Sequence, residues 1–227
     1  MIAENVKRVM DGIADAAAAS GRNPSGITLV AVSKTHTVEE IGEALAAGVV
    51  HLGENRVQEA AGKIPGVRGN PFWHLVGSLQ SNKAARAAEL FRWIDSVHSE
   101  KIAGILSERS VALGKALDVL VQINVSGEES KSGVPPLEAK KLLLAVERLP
   151  GLRVRGLMTI GSLVVPQEKT RIEFRLLREL FDTLRADTEI QSPLDVLSMG
   201  MSGDYRIAIE EGSTMVRIGT AIFGERT

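Results

Sequence analysis

From residue 28 to the C-terminal end, short apolar runs alternate with longer helical patterns, and this alternation constrains the fold more than any other feature. The runs are TLVAVSK (28–34), VVHLGE (49–54), FWHLVG (72–77), WIDSVH (93–98), LDVLVQINV (117–125), RVRGLMTI (153–160), DVLSMG (195–200) and TMVRIGT (214–220). Each is of strand length and rich in residues that fill a strand buried on both faces. Between them lie stretches such as NRVQEAAGKI, SEKIAGILSERSVAL, PPLEAKKLLLAVERL and QEKTRIEFRLLRELFDTLRAD, long enough for right-handed crossovers between parallel strands. Eight such units in 227 residues predict an α/β fold, a (β/α)8 TIM barrel occupying residues 1–227 as one domain. A doubly wound open sheet is the alternative. It usually has fewer strands, and no G-x-G-x-x-G follows the first run. The segment MIAENVKRVMDGIADAAAAS reads as an extra amphipathic helix before the barrel.

In a barrel of this kind, ligands bind where strands end. The first run ends on Lys34, and a helix opens almost at once: Thr37 is placed to cap it, with Glu40 three residues on completing a capping box. The other strand ends bring Glu54 and Asn55, His74 with Gly77, Ser96 and His98, Asn124, Met158 with Thr159, Ser198 to Gly203, and Arg217 to Thr220 to the same rim. A strand-end lysine either snorkels to solvent or, desolvated and neutral, attacks a carbonyl to form a Schiff base. Two chemistries use that bond: a class I aldolase, with the carbonyl on the substrate, and pyridoxal phosphate, with the carbonyl on the cofactor. The stretch SMGMSGDYRIAIEEG places Ser198, Gly200, Ser202 and Gly203 before a helix, and the last strand adds Gly219 and Thr220 beside it. Small residues there let backbone N–H groups approach an anion, as a phosphate cradle requires. Arg217 can only donate hydrogen bonds. It serves either as the partner of a carboxylate or as the donor to a ring nitrogen held unprotonated, which would make the ring a poorer electron sink.

Other classes of function find little support. The formal charge is −1 with the signs interspersed, and aromatics are 4% of the chain, so nucleic acid is not an expected partner. There are no cysteines, which removes disulfides and thiolate catalysis and suits a reducing compartment. No signal peptide or membrane span is legible, so no membrane partner and a cytoplasmic location are expected. His36, His51 and His98 lack metal-ligand spacing, and no metal site is expected. Lys83 and Lys131 are each either anion-steering or solvated. Trp73, Trp93 and Phe72 read as packing residues.

The motifs AVSKT, HLGENRVQE, FWHLVGSLQSNK, QINVSGEESKSG, GLMTIG, LSMGMSGD and VRIGTAIFGER, in this order, resemble the pyridoxal-phosphate homeostasis protein family. The resemblance runs from about residue 28 to the end. That family is similar to the N-terminal barrel of alanine racemase, binds pyridoxal 5′-phosphate on the strand-one lysine, and has no established turnover. The resemblance implies Lys34 as the Schiff-base lysine. It implies Ser198, Gly200, Gly219 and Thr220 at the phosphate, Arg217 at the pyridine nitrogen, and Asn55, His74 and Met158 around the cofactor. SKTHT departs from the family, in which a basic residue and proline often follow the lysine and threonine. The function so implied is cofactor homeostasis and delivery, with apo pyridoxal-phosphate enzymes as recipients. The alternative is an amino-acid racemase-like enzyme of weak activity. Racemisation needs a second acid/base, which the resembling enzymes take from a tyrosine in a further domain; the sequence ends at Thr227. Tyr205 and His74 are the candidates within it; Tyr205 is also readable as a donor to the phosphate or as a packing residue at the helix start, and His74 as a hydrogen-bonded packing residue.

Overall fold

A computed structural model describes residues 1–128, 131–161 and 166–225. Within the quoted motifs, Glu129, Ser130 and Arg226 lie outside the described residues. The strands are β1 (Thr28–Val32), β2 (His51–Glu54), β3 (Phe72–Leu75), β4 (Trp93–Val97), β5 (Leu117–Gln122), β6 (Leu152–Met158), β7 (Val196–Ser198) and β8 (Met215–Ile218). They form a closed parallel barrel in sequence order, with β8 pairing back to β1 through Thr28 opposite Met215 and Ala31 opposite Ile218. The fold expected from the alternation is the fold found. Each strand is shorter than its apolar run, which extends past the paired residues at one end or both. The run 28–34 thus ends as β1 at Val32, and Lys34 stands two residues past it in a turn.

The helices are α1 (Ile2–Ala19), α2 (Val38–Ala46), α3 (Val57–Lys63), α4 (Ser81–Leu90), α5 (Glu100–Ala112), α6 (Ala139–Glu147), α7 (Gln167–Arg185), α8 (Tyr205–Glu210) and α9 (Thr220–Phe223). The predicted capping box at the start of α2 is present: Glu40 N donates to Thr37 Oγ1 at 3.3 Å and Thr37 N to Glu40 Oε2 at 2.8 Å. The last two helices have only six and four residues, too short to cover their strands. The N-terminal helix supplies that cover. Val6, Val9 and Ile13 of α1 are buried in the main core, and Asn5 Nδ2 donates to Ile222 O at 2.8 Å.

Side chains alternate between two cores, as a period of two requires. Leu29, Ala31, Leu52, Leu75 and Ile94 belong to the large core between strands and helices. Val30, Val32, Val76, Trp93, Leu120, Met158 and Met215 form a second cluster, which fills the barrel itself. A polar chain crosses this interior: His74 Nδ1 lies 3.1 Å from Asp95 Oδ1 and His74 Nε2 lies 2.9 Å from His51 Nδ1, with His74 stacked on Trp93.

Candidate functional site

At the C-terminal end of the strands a cavity of about 490 Å³ is lined by Val32, Lys34, Asn55, Val76, Gly77, Ser78, Ile160, Met201, Ser202, Gly203, Asp204, Arg217, Gly219 and Thr220. This volume suits a small-molecule site. The structure therefore brings together Lys34, Asn55, Arg217, Gly219 and Thr220 from the residues singled out in the sequence. A larger cavity, of about 910 Å³, opens at the opposite end among His51, Asp118, Arg153 and Arg155. There Arg153 pairs with Asp118 through Nε at 2.9 Å and Nη2 at 2.8 Å, and Arg155 pairs with Asp195, so much of the charge is already matched within the protein. That end of a (β/α)8 barrel serves stability, and no lysine is among the residues lining the larger cavity.

Arg217 projects from β8 into the barrel and is almost wholly buried. Nη1 donates to Ser198 Oγ and Nη2 to Thr159 O, each at 2.6 Å, which fixes the plane of the guanidinium. Burial pushes Arg217 below its ordinary value, with Asp95 and Asp204 opposing the shift; guanidinium starts so high that it stays charged. Asp204 lines the cavity, accepts from Met201 N at 2.5 Å, and is itself raised by burial against the pull of that bond and of Arg217. The loops after β7 and β8 are tied to each other, since Ala221 N donates to Ser202 Oγ at 3.2 Å.

Four residues that the resemblance implies at the cofactor do not line this cavity. Ser198 is fully buried and turned to Arg217, so it orients the guanidinium and does not line the cavity. Gly200 also lies behind the wall. Its φ is +96°, and a Cβ there would come within 2.5 Å of Ala208 Cβ, so glycine lets α8 pack against the loop. Met158 packs in the barrel interior with Val30 and Leu120, as part of the floor. His74 is two residues below Val76 on its strand and has both ring nitrogens engaged by Asp95 and His51, away from the cavity lining. Tyr205 is likewise displaced: a Cβ built on Gly12 of α1 would lie 2.2 Å from its hydroxyl, which places the ring against the N-terminal helix and not at a phosphate.

Val32, Val76 and Ile160 also wall the cavity and Asp204 lines it, none of them singled out in the sequence, while Met201 lies within the run Ser198 to Gly203 placed at the rim. Apolar residues at strand ends look like core, and only their position two residues before Lys34 or next to Gly77 could have flagged them. Lys83 lines a separate hollow beside the mouth, sharing Asn55, Gly77 and Ser78 with it. Among the described residues no group of three or more His, Asp or Glu side chains is arranged to hold a metal ion, and no helix is long and apolar enough to cross a membrane.

An elongated pyridoxal phosphate needs an amine, apolar faces for its ring, a donor at the ring nitrogen and donors for its phosphate. The cavity offers Lys34, the side chains of Val32, Val76 and Ile160, the fixed guanidinium of Arg217, and the loops at Ser202–Gly203 and Gly219–Thr220. A Cβ at Gly219 would crowd Val32 O at 3.2 Å, so glycine lets the loop after β8 pass close to the end of β1. The residues present fit the group.

Comparison with known proteins agrees with this assignment of fold. The family model for alanine racemase, N-terminal domain, matches residues 10–227. A pyridoxal phosphate homeostasis protein of Pseudomonas aeruginosa is 46% identical over 226 residues, covering 99% of this chain and 96% of that one. A protein of the same name from Escherichia coli is 44% identical over 230 residues, covering 99% and 97%. PipY of Synechococcus elongatus, solved with PLP bound, is 35% identical with a TM-score of 0.85, over 99% of this chain and 100% of that one.

Proposed function

The chain belongs to the family of the alanine racemase N-terminal domain, and from that premise we propose that it holds pyridoxal 5′-phosphate through a reversible covalent bond to the Lys34 amine. In this reading it is a cytoplasmic protein of cofactor homeostasis, which releases its load to apo enzymes and turns over no substrate of its own. The observation that carries the reading is the presence of Lys34 and the buried Arg217 guanidinium in one cavity, with two loops of small residues at the same mouth. When bound, the cofactor supplies an aldehyde that condenses reversibly with a neutral primary amine and a ring able to draw electrons from what is attached to it.

Each residue then has a physical task. Lys34, partly buried just beyond β1, presents its amine at the cavity wall. Arg217, fixed by Ser198 and Thr159, would hold the ring nitrogen of the bound cofactor as an acceptor and give it no proton, leaving the ring a weaker electron sink. Val32, Val76 and Ile160 exclude water from the ring faces. Ser202, Gly203, Gly219 and Thr220 would hold the phosphate through hydroxyl and backbone donors, and Asn55 lines the same cavity as Lys34.

A racemase-like enzyme would need a second proton-transfer group on the opposite face of the substrate. The placement of His74 between Asp95 and His51, and of Tyr205 against Gly12, supports the carrier reading over that alternative. The test is transfer. Loaded protein mixed with an apo pyridoxal-phosphate enzyme should restore its activity, and protein locked by borohydride should not. With L-alanine in deuterated solvent, exchange at Cα should be slow. Exchange and D-alanine formation at about 1 per second or faster, the ordinary enzymatic range, would favour the enzyme.

A further inference from the structure

The peptide groups on either side of Lys34 are both gripped by one helix. The carbonyl of Ser33, which precedes Lys34, accepts from Lys63 Nζ at 2.7 Å, and the N–H of Thr35, which follows it, donates to Glu59 Oε1. Glu59 and Lys63 are four residues apart on α3 and joined to each other at 2.6 Å. Lys63 also donates to Glu54 Oε1 at 2.9 Å, and that oxygen accepts from Ser33 Oγ at 2.8 Å. Glu54 is fully buried and faces α3, because alternation turns its neighbours Gly53 and Asn55 toward the barrel. Its second oxygen, Oε2, is buried with no hydrogen-bond partner.

Thr35, the residue held by Glu59, has φ of +67° and is the non-glycine residue with positive φ among those described. A threonine in the left-handed region persists only where its surroundings over-determine it. Here they do: Ser33 N is bound to Gly53 O at 2.9 Å, Ser33 O is bound by Lys63 and by His36 N, and Thr35 N is bound by Glu59. The arrangement is costly for the carboxylate below it. Burial raises Glu54 above its ordinary value, opposed by Lys63 and Ser33; burial also acts to raise Glu59, but Lys63 and the Thr35 N–H outweigh it and Glu59 is lowered.

We propose that Glu59 and Lys63, anchored on buried Glu54, are positioning residues that hold the backbone around Lys34 so that its amine meets the bound aldehyde in a reactive orientation. The proposal rests on the reading of Lys34 given above. Misplacement of a reacting group by about 1 Å can cost a hundredfold, and without the clamp the turn at Thr35 would relax. The side chains of Glu59 and Lys63 do not themselves line the cavity.

Two ligands separate positioning from general damage: pyridoxal 5′-phosphate, and pyridoxine 5′-phosphate, which lacks the aldehyde and can form no bond to Lys34. In the wild-type chain the aldehyde should bind more tightly. Glu59→Ala removes the acceptor of Thr35 N–H at a partly exposed position, so folding should survive; Lys63→Met frees the Ser33 carbonyl. Each should weaken the aldehyde by about tenfold and leave pyridoxine 5′-phosphate within about twofold, with Glu59→Gln, which keeps an acceptor, close to wild type. If both ligands weaken together in Glu59→Ala, or neither does, the clamp is overturned. If the wild-type chain shows no preference for the aldehyde, the Lys34 reading fails first and the clamp with it.

Discussion

Arg217 Nη1 donates a 2.6 Å hydrogen bond to Ser198 Oγ, so the serine that the sequence places at a phosphate is an acceptor for the buried guanidinium. Hydrogen bonds to charged groups contribute about 1.5 to 3 kcal/mol. Ser198→Ala should therefore weaken pyridoxal 5′-phosphate and phosphate-free pyridoxal by the same factor, since the loss acts through Arg217. Ser202→Ala or Thr220→Val, which touch the mouth, should narrow the gap between the two ligands by roughly fivefold to tenfold. Fluorescence titration of both ligands on each variant measures this; a gap narrowed by Ser198→Ala would return that serine to the phosphate.

Arg217→Lys should destabilise the protein although it keeps the charge. An ammonium cannot reach Ser198 Oγ and Thr159 O in the fork that the guanidinium spans, and the loss of buried charge-assisted bonds is worth about 2 to 4 kcal/mol. Urea unfolding of the ligand-free protein should show it, and an unchanged midpoint would mean that the fork is not needed.

The legible part of the site follows from periodicity, and the illegible part from height. Alternation and loop chemistry give eight strands, the cap at Thr37 and the position of Lys34 at a strand end. Alternation also says which face a strand residue takes. It does not say how deep in a tilted barrel that residue lies, and so His74, one inward step below Val76, and Met158 both read as rim residues although they are interior ones. The direction of Tyr205 depends on α1 packing over α8, a contact between elements nearly two hundred residues apart, which no local pattern encodes. Glu54 was visible at a strand end, but its partner Lys63 comes from the following helix and is recognisable only once α3 is folded back.

His51 gives the protein a stability that depends on pH. Burial first, and then neighbouring His74, push its imidazole from 6.5 down to about 4, against the opposing effect of Asp95. The unfolded chain takes up a proton near the ordinary value and the folded chain only near 4, so this contribution is complete above about 6.5 and is lost as pH falls from there to about 4. His51 is partly exposed, and with screening allowed for the loss is about 1 to 2 kcal/mol. His51→Gln should remove that slope from the difference between the two chains' urea stabilities at pH 7.5 and 5. The raised carboxyl of Glu54, whose stabilisation is instead lost as pH rises, is common to both chains and cancels. Parallel profiles would contradict the assignment.

The cap that closes the Lys34 turn should be measurable on its own. Thr37→Ala deletes the acceptor of Glu40 N and should cost about 1 kcal/mol in urea unfolding. A loss below about 0.3 kcal/mol would mean that Glu40 alone sustains the helix start.

The central claim is the covalent bond at one lysine. Protein incubated with pyridoxal 5′-phosphate, reduced with borohydride, digested and analysed by mass spectrometry should carry one pyridoxyl group per chain, on Lys34, and Lys34→Ala should carry none. A label on Lys83 or Lys131 in place of Lys34, or an undiminished label in Lys34→Ala, would contradict it.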